Sequence, residues 1–223
     1  MKEPAHIKAG DDKSSCPLCS SAETYFYFKD NVRTYTKCEK CALVFVPARY
    51  WLNADDEKAI YDLHENDPND AGYRKFLSRL STPLLEHLPP HQSGLDFGCG
   101  PGPTLSRMLE EKDHKVDLFD PLYYNDVSIF SKKYDFINAT EVVEHLSNPM
   151  KEFASLFKML RPGGWLGIMT KLVINEESFR EWHYIRDLTH ISFFSRETFE
   201  YIAKRFKAEL SFIGNDVILL QKN

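Results

Sequence analysis

Apolar and polar residues alternate in short blocks over the second half of the chain. Four brief apolar runs predict buried strands, namely GLDFG at 94–98, KVDLFD at 115–120, YDFINA at 134–139 and WLGIMT at 165–170. Three stretches show helical periodicity, at 103–113, 148–160 and 195–206. This succession of strands and helices predicts an α/β domain built on a mostly parallel sheet.

Two patterns near the end of the chain refine this picture. The segment AELSFIGNDVILLQK at 208–222 predicts two strands joined at Gly214-Asn215, which places an antiparallel edge on the sheet. The amphipathic stretch at 148–160 is followed by RPGG, and its glycines predict the end of that helix.

The first half of the chain has a different pattern. The acidic stretch after residue 50 predicts a helix over Asp55 to His64, a turn at NDPND, and a second helix over 73–88. The chain therefore divides into three predicted parts, with residues 1–50 as a small ribbon, 51–92 as a helical linker or lid, and 93–223 as the main domain.

Four of the five cysteines form two C-x-x-C pairs, which are Cys16 with Cys19 and Cys38 with Cys41. The pairs enclose 18 residues, a spacing typical of four-thiolate zinc sites that are structural and leave no open coordination position. The residues between them, TYFYFKDNVRTYTK, predict a β-hairpin with its turn at Asp30-Asn31. Unrelated core cysteines or a redox pair are the alternative interpretations.

Composition and charge argue against some classes of protein. The 223 residues contain 28 Lys and Arg against 33 Asp and Glu, and the net charge of −5 argues against a dedicated binder of nucleic acid. The first 15 residues lack the apolar core of a secretory signal, and apolar runs such as ALVFV are too short to cross a bilayer. We therefore expect a cytoplasmic location and no membrane partner.

A glycine-rich loop follows the first predicted strand of the main domain. Gly98, Gly100 and Gly102 follow shortly after Asp96, and Asp120 ends the next strand, where a carboxylate can accept both hydroxyls of a ribose. We expect the glycines and the helix N-terminus behind them to offer bare main-chain amides. An acid this close to the first glycine repels a pyrophosphate, whereas the cationic S-adenosylmethionine tolerates it. The loop favours an adenosyl amino acid over a phosphorylated nucleotide.

From Tyr73 to the C-terminus the chain resembles the class I S-adenosylmethionine-dependent methyltransferases. The resemblance is carried by LDFGCGPG, LFDP, YDFINATEVVEHL and LRPGGWLGIMT, which occur in the expected order. It implies a Rossmann-like, seven-stranded sheet whose last strand is antiparallel. The cofactor-binding residues that it implies are Asp96, Phe97, Gly98, Cys99, Gly100, Gly102, Asp120, Pro121, Thr140 and Glu141.

The order of a zinc ribbon and then this domain is similar to a group of bacterial methyltransferases. The segments YDLHENDPNDAGY and EWHYIRDLTHISFFSRETF belong to the same resemblance. One departure is that only 13 residues separate Asp120 from Tyr134, where the family has a helix, a strand and an acid that contacts adenine. We therefore expect a shortened adenine pocket and leave Asp126 unassigned.

The candidate catalytic residues are His190, Glu141 and His145. Glu141, Glu144 and His145 are spaced to share one face of a helix, and His190 follows the WLGIMT strand. Together with His190 they would suit a second divalent ion. The pattern resembles that of the small-RNA 3′-end 2′-O-methyltransferases, which use it to bind a metal. Ubiquinone-biosynthesis O-methyltransferases have a similar pattern. The favoured hypothesis is that His190, without a metal, acts as a general base or as a group that orients the substrate. In the alternative interpretation, without a catalytic or metal-binding role, Glu144 is solvated and His145 only caps or packs.

Trp182, His183, Tyr184 and Arg186 are candidates for the walls of an acceptor pocket, or else packed aromatic and surface residues. The favoured function is methyl transfer to a small metabolite. The alternatives are an RNA methyltransferase whose ribbon binds nucleic acid and a cofactor-binding module without catalysis. Residues 1–50 hold eight Lys and Arg against six Asp and Glu, which is slight support for binding to RNA.

Overall fold

The structure, a computed structural model, describes residues 14–63 and 67–223. The strands in these ranges are β1 (Thr24–Lys29), β2 (Thr34–Cys38), β3 (Val44–Phe45), β4 (Ser93–Phe97), β5 (Lys115–Phe119), β6 (Tyr134–Thr140), β7 (Leu160–Met169), β8 (Ser192–Phe193), β9 (Ala208–Ile213) and β10 (Val217–Lys222). The α-helices are α1 (Ala54–Tyr61), α2 (Ala71–Leu85), α3 (Thr104–Glu110), α4 (Pro149–Met159), α5 (Glu176–Arg180) and α6 (Arg196–Phe206).

The main sheet has the strand order β5-β4-β6-β7-β10-β9. Strands β4 to β7 are parallel, and β10 is antiparallel to both of its neighbours, which confirms the predicted fold class. The sheet has six strands in the described chain instead of the expected seven, because the segment between Asp120 and Tyr134 holds only a 3-10 turn at Val127–Ser131. The antiparallel strand β10 lies one position inside the edge, and the edge itself is β9.

Several predicted helix ends differ from the structure, since α2 ends at Leu85 and α3 at Glu110, each three residues earlier than predicted. Helix α4 passes directly into β7 at Leu160, so RPGG lies inside the strand and the predicted glycine stop is wrong. Pro162 explains the difference, because it disfavours helical backbone at the residue before it. Helix α1 ends at Tyr61, and the predicted end at His64 lies outside the described residues, as does the segment 1–13.

The predicted hairpin near the N-terminus is confirmed, since β1 and β2 pair antiparallel on either side of a turn. The carboxylate of Asp30 accepts hydrogen bonds from the amides of Val32 and Arg33 in that turn, each at 2.7 Å. The sheet then continues through β3 to β8, a strand from the other end of the chain. The ribbon and the main domain therefore share one small sheet.

Packing also joins the ribbon to the main domain. Leu18, Cys38 and Leu43 of the ribbon are buried in the same hydrophobic cluster as Leu95 and Phe194. Burial of this kind is worth about 25 cal/mol per Å² of apolar surface, so the contact stabilises both parts. Among the residues that the structure describes, none of the helices combines the length and the hydrophobicity needed to span a bilayer.

Candidate active site and metal centre

A cavity of about 1210 Å³ lies at the carboxyl ends of β4, β5, β6 and β7. Ligands of open α/β sheets gather at this edge, so its place agrees with the sequence analysis. All of the predicted cofactor residues except Gly102 line the cavity. The carbonyl oxygen of Gly102 instead accepts hydrogen bonds from the amide of Thr104 at 2.7 Å and from its hydroxyl at 3.3 Å, at the start of α3.

The glycine loop forms the floor of the cavity. Gly98 has a φ of +73°, and a Cβ atom there would lie 2.5 Å from a methyl carbon of Val142, so only glycine fits. The amides of Gly98 and Cys99 donate to the carbonyl of Phe119, and the amide of Gly100 donates to Asp120 Oδ2 at 3.1 Å. These three amides are therefore engaged, and the expectation that they are bare is wrong.

Asp120 is held firmly at the end of β5. Its Oδ1 accepts from the amides of Leu122 at 2.8 Å and Tyr123 at 3.2 Å, while Oδ2 accepts from Gly100. The side chain lines the cavity although the residue is only 9% exposed. A carboxylate with both oxygens oriented in this way is a preorganised acceptor for the hydroxyls of a ligand.

Asp96 and Thr140 give the cavity two further polar groups. Burial raises the pKa of Asp96 to about 6, and the amide of Asn138 donates to its Oδ1 at 2.9 Å. The hydroxyl of Thr140 is buried and has no hydrogen-bond partner among the described residues. A buried polar group without a partner is costly, so this hydroxyl suits a bound ligand. Together, these acids and this hydroxyl fit the sulfonium, ammonium and ribose of S-adenosylmethionine.

The short segment after Asp120 contributes apolar and aromatic walls. Leu122, Tyr123 and Phe130 line the cavity, and the Phe130 ring packs edge-on against Phe119 at 5.0 Å. Asp126 does not line it, because its carboxylate caps the 3-10 turn by accepting from the Ser128 amide. Phe130 was not among the predicted site residues, although it is the one phenylalanine of this short segment.

The EVVEH segment does not form the expected helix. Only a 3-10 turn at Val143–His145 is present, and Glu141 lies before it with a φ of +52°. Glu144 is fully buried and accepts hydrogen bonds from the hydroxyls of Thr170, at 3.0 Å, and Tyr184. The interpretation of Glu144 as a solvated residue is therefore wrong. Burial raises its pKa, and the neighbouring charge of Glu141 raises it further.

His190 is oriented by the main chain around it. Its Nδ1 lies 2.8 Å from the carbonyl oxygen of Tyr184, which can only accept, so Nδ1 carries the proton and Nε2 presents a lone pair. Nε2 lies 3.7 Å from Asp187 Oδ2. Burial lowers the pKa of His190, although Asp187 opposes this shift. The imidazole is therefore neutral at pH 7 and able to accept a proton.

The structure brings the other catalytic candidates to the same place. Glu141 and His145 line the cavity together with His190, and the rings of His145 and His190 lie 4.7 Å apart. One ligand atom from each of Glu144, His145 and His190 falls within 4.8 Å of the others, a spacing that could hold a metal ion. Glu141 does not belong to this group of ligand atoms.

Of the four candidates for acceptor walls, His183 and Tyr184 line the cavity, while Trp182 and Arg186 do not. Trp182 packs against the Tyr184 ring at 4.9 Å instead. Tyr61, the last residue of α1, was not among the predicted site residues, yet it also lines the cavity and lies 5.4 Å from the His145 ring. Helical periodicity alone gave no sign of this role.

The four paired cysteines meet on one side of the ribbon. The sulfur atoms of Cys16 and Cys41 lie 3.5 Å apart, those of Cys19 and Cys38 lie 3.4 Å apart, and all four fall within 4.8 Å. Tetrahedral zinc with bonds of about 2.3 Å needs sulfur separations of about 3.8 Å, so the cluster is consistent with a zinc ribbon.

Comparison with known protein families identifies the family to which the chain belongs. A family model described as a methyltransferase domain matches residues 67–210, a span that begins inside the predicted helical linker and includes the whole glycine loop. The chain belongs to this methyltransferase family. In fold and family it is a class I S-adenosylmethionine-dependent methyltransferase, as the resemblance implied.

Relatives of this methyltransferase differ in what they act on. A tRNA U34 carboxymethyltransferase of Sulfurovum sp. (strain NBC37-1) is 31% identical to this chain over 36% of the chain's length. The chain spans only about a third (35%) of that relative. A Burkholderia thailandensis 1,6-didemethyltoxoflavin-N1-methyltransferase, solved with bound 1,6-didemethyltoxoflavin and S-adenosylhomocysteine, has a TM-score of 0.51 at 14% identity. That match covers 89% of this chain and 99% of the other.

A second solved structure comes from the Haloferax volcanii complex between the Trm112 methyltransferase activator and a methyltransferase. It has a TM-score of 0.51 at 10% identity and covers 76% of this chain and 99% of the other. Both structural matches lie far below the identity that would indicate a shared substrate, so they show the fold of the methyltransferase and nothing of its acceptor.

Proposed function

We propose that this methyltransferase transfers the methyl group of S-adenosylmethionine to a small molecule held beside His190. The observation that carries the proposal is that one cavity of about 1210 Å³ is lined both by Asp120 with the glycine loop and by His145 with His190. Pockets for single ligands are commonly about 300–1,000 Å³, so this cavity has room for a donor and a small acceptor together.

The donor would bind at the glycine-loop end. Asp120 would accept hydrogen bonds from the ribose hydroxyls, Thr140 would supply its unpaired hydroxyl, and Phe130 would lie along the adenine. The carboxyl groups of Asp96 and Glu141 would face the cationic amino acid part. Bound S-adenosylmethionine supplies a methyl group on positively charged sulfur, which a nucleophile can displace in line.

The acceptor would bind between His145, Tyr184 and His190. As the acceptor atom forms its bond to the methyl carbon and the carbon–sulfur bond breaks, the proton of the acceptor would pass to Nε2 of His190. Asp187, 3.7 Å away, would stabilise the imidazolium that results. Glu141 and His145 would orient the acceptor, and positioning of this kind supplies much of the rate of a displacement reaction.

The test of the proposed acceptor class is incubation with radiolabelled S-adenosylmethionine and separate RNA, protein and metabolite fractions of a cell extract. We expect the label to appear in the metabolite fraction. Label in the RNA fraction, combined with salt-sensitive retention of the protein on an RNA column, would overturn the small-molecule proposal and favour the alternative that the tRNA-modifying relative suggests.

Replacing His190 with asparagine tests its role as the base. Asparagine can still donate to the Tyr184 carbonyl but has no basic nitrogen, so we expect methyl transfer to fall by roughly 10²- to 10⁴-fold. Burial lowers the pKa of His190 below the ordinary histidine value of about 6.5. The rate of the native enzyme should therefore decline only at a pH below about 6.5, where His190 becomes protonated. Rate measurements from pH 5 to 8 check both expectations.

The matched control is His87→Asn, which changes an exposed histidine that stacks on Trp165 and does not line the cavity. It should leave the rate and its pH profile unchanged. An undiminished rate in His190→Asn would show that His190 is not the base.

A divalent ion held by Glu144, His145 and His190 is a second proposal for the same site, supported by the closeness of their ligand atoms. Both histidines fit it, because each lies with its Nδ1 near a carbonyl oxygen, that of Tyr184 for His190 and that of Thr189 for His145. The metal content of the purified chain separates the two. If the purified chain holds one zinc ion and no other metal, the result supports His190 as a base without a metal. If it holds a further ion, and His145→Asn loses that ion, the result supports the second metal site.

A further inference from the structure

The turn of the β1–β2 hairpin carries an arginine that is buried, although it belongs to the small ribbon. Arg33 is 1% exposed, and its guanidinium donates to three main-chain carbonyl oxygens of the main domain. They belong to Ile185 at 3.0 Å, Asp187 at 2.8 Å and Leu188 at 3.0 Å. A fourth bond joins Nε to the hydroxyl of Tyr35 at 2.9 Å. The planar fork of an arginine suits such an array, whereas a lysine cannot span it.

The charge of Arg33 is balanced inside the ribbon. Asp30 accepts from the hydroxyl of Tyr35 at 2.6 Å and from the amide of Arg33 at 2.7 Å, so the acid, the phenol and the guanidinium form one network. Buried charges persist when they are paired and hydrogen-bonded in this way. The network faces the main domain, so Arg33 is not presented on the ribbon surface as a contact for phosphate.

The carbonyls that Arg33 holds lead directly to His190. The oxygen of Asp187 accepts from the guanidinium and also from the main-chain amide of His190, at 3.3 Å. On the other side of His190, the carbonyl of Ile191 accepts from the amide of Val46, just after β3, at 2.9 Å. His190 is therefore flanked along the chain by two separate contacts from the ribbon.

We propose that the ribbon is a working part of the active site, in which Arg33 is a positioning residue that holds segment 185–188 so that Nε2 of His190 faces the cavity. The four-cysteine site supports this arrangement, because Cys38 ends β2 and Cys41 lies just before β3. The inference rests on the proposed function, which assigns His190 as the base. It gives the ribbon a role in acceptor chemistry and none in donor binding.

The tautomer of His190 is the readout, since long-range ¹H–¹⁵N correlation spectra of the full chain report which ring nitrogen carries the proton. In the native protein we expect the Nδ1–H form alone. In Arg33→Lys the segment next to the Tyr184 carbonyl is held by fewer hydrogen bonds, so the Nε2–H form should rise to roughly a tenth of the population or more. The dissociation constant of S-adenosylhomocysteine should change by less than about twofold, because the two sites share no residues.

Arg49→Lys is the matched control, because Arg49 belongs to the same ribbon and is exposed. It should change neither readout. If Arg33→Lys does not fold, Tyr35→Phe removes one of the four bonds while keeping the ring, and a smaller shift of the same kind is expected.

Unchanged His190 signals in folded Arg33→Lys, or in folded Tyr35→Phe, would overturn the inference. Parallel loss of His190 signals and S-adenosylhomocysteine binding would also overturn it, because the arginine would then only stabilise the fold. Failure of the proposed function looks different: His190→Asn would keep its activity while Arg33→Lys still altered the tautomer.

Discussion

Replacing Asp120 with alanine is expected to weaken the binding of S-adenosylhomocysteine by about 100-fold or more. The complex would lose the two charge-assisted hydrogen bonds that we propose between the Asp120 carboxylate and the ribose, each worth about 1.5–3 kcal/mol. The amide of Gly100, which donates to Asp120 at 3.1 Å, would also lose its partner, so the glycine loop would loosen. Isothermal titration calorimetry with the native and altered proteins measures the effect.

Two further variants make this result specific. Asp120→Asn keeps the shape and one oxygen acceptor, so its affinity should fall between those of the native protein and Asp120→Ala. Asp126→Ala changes an exposed acid that does not line the cavity, and it should bind as tightly as the native protein. An affinity for Asp120→Ala within about threefold of native would show that the ribose lies elsewhere.

Removing the metal that we propose for the four cysteines should lower the melting temperature of the whole chain by on the order of 10 °C. Cys16, Cys38 and Cys41 are buried in the main hydrophobic cluster, so an empty site would leave unsatisfied thiols inside the core that both parts share. A few kcal/mol lost from a domain of this size corresponds to a shift of this order. Differential scanning calorimetry with a chelator, and then with added zinc, measures the loss and the recovery.

The fifth cysteine supplies the control for this experiment. Cys99→Ser should melt within about two degrees of the native protein, whereas Cys38→Ser should melt as the chelated protein does, since Cys38 is fully buried. A chain that is free of metal by elemental analysis but melts at the native temperature would contradict a structural role for the site.

The main sheet and the glycine-loop end of the cavity were predictable because their signals are local. Strand β4, its glycine loop and Asp96 lie within a few residues of one another, and Asp120 directly follows the next strand. Apolar runs bounded by turn residues are a strong sign of buried strands in α/β proteins. The number of strands was not predicted correctly, since seven were expected although only 13 residues separate Asp120 from Tyr134 and leave little room for one of them.

The end of the cavity around Glu144 and His190 was harder to predict because it depends on contacts between distant residues. The spacing of Glu141, Glu144 and His145 suits a helix, but the amide of Glu141 bonds to Met169 and the carbonyl of Glu144 bonds to Ile191, so the chain turns tightly instead. The burial of Glu144 depends on the hydroxyl of Tyr184, 40 residues away. No pattern within a short window contains this information.

The pairing of β3 with β8 has a consequence for how the chain folds as it is synthesised. Val44 pairs with Phe193, and Arg33 reaches the carbonyl of Leu188 across 155 residues of sequence. Contacts of such long separation form late, because most of the chain must be in place before the loop between them can close. We therefore expect residues 14–50 to be synthesised well before residues 185–193, and to dock against the main domain only after that later segment has been made.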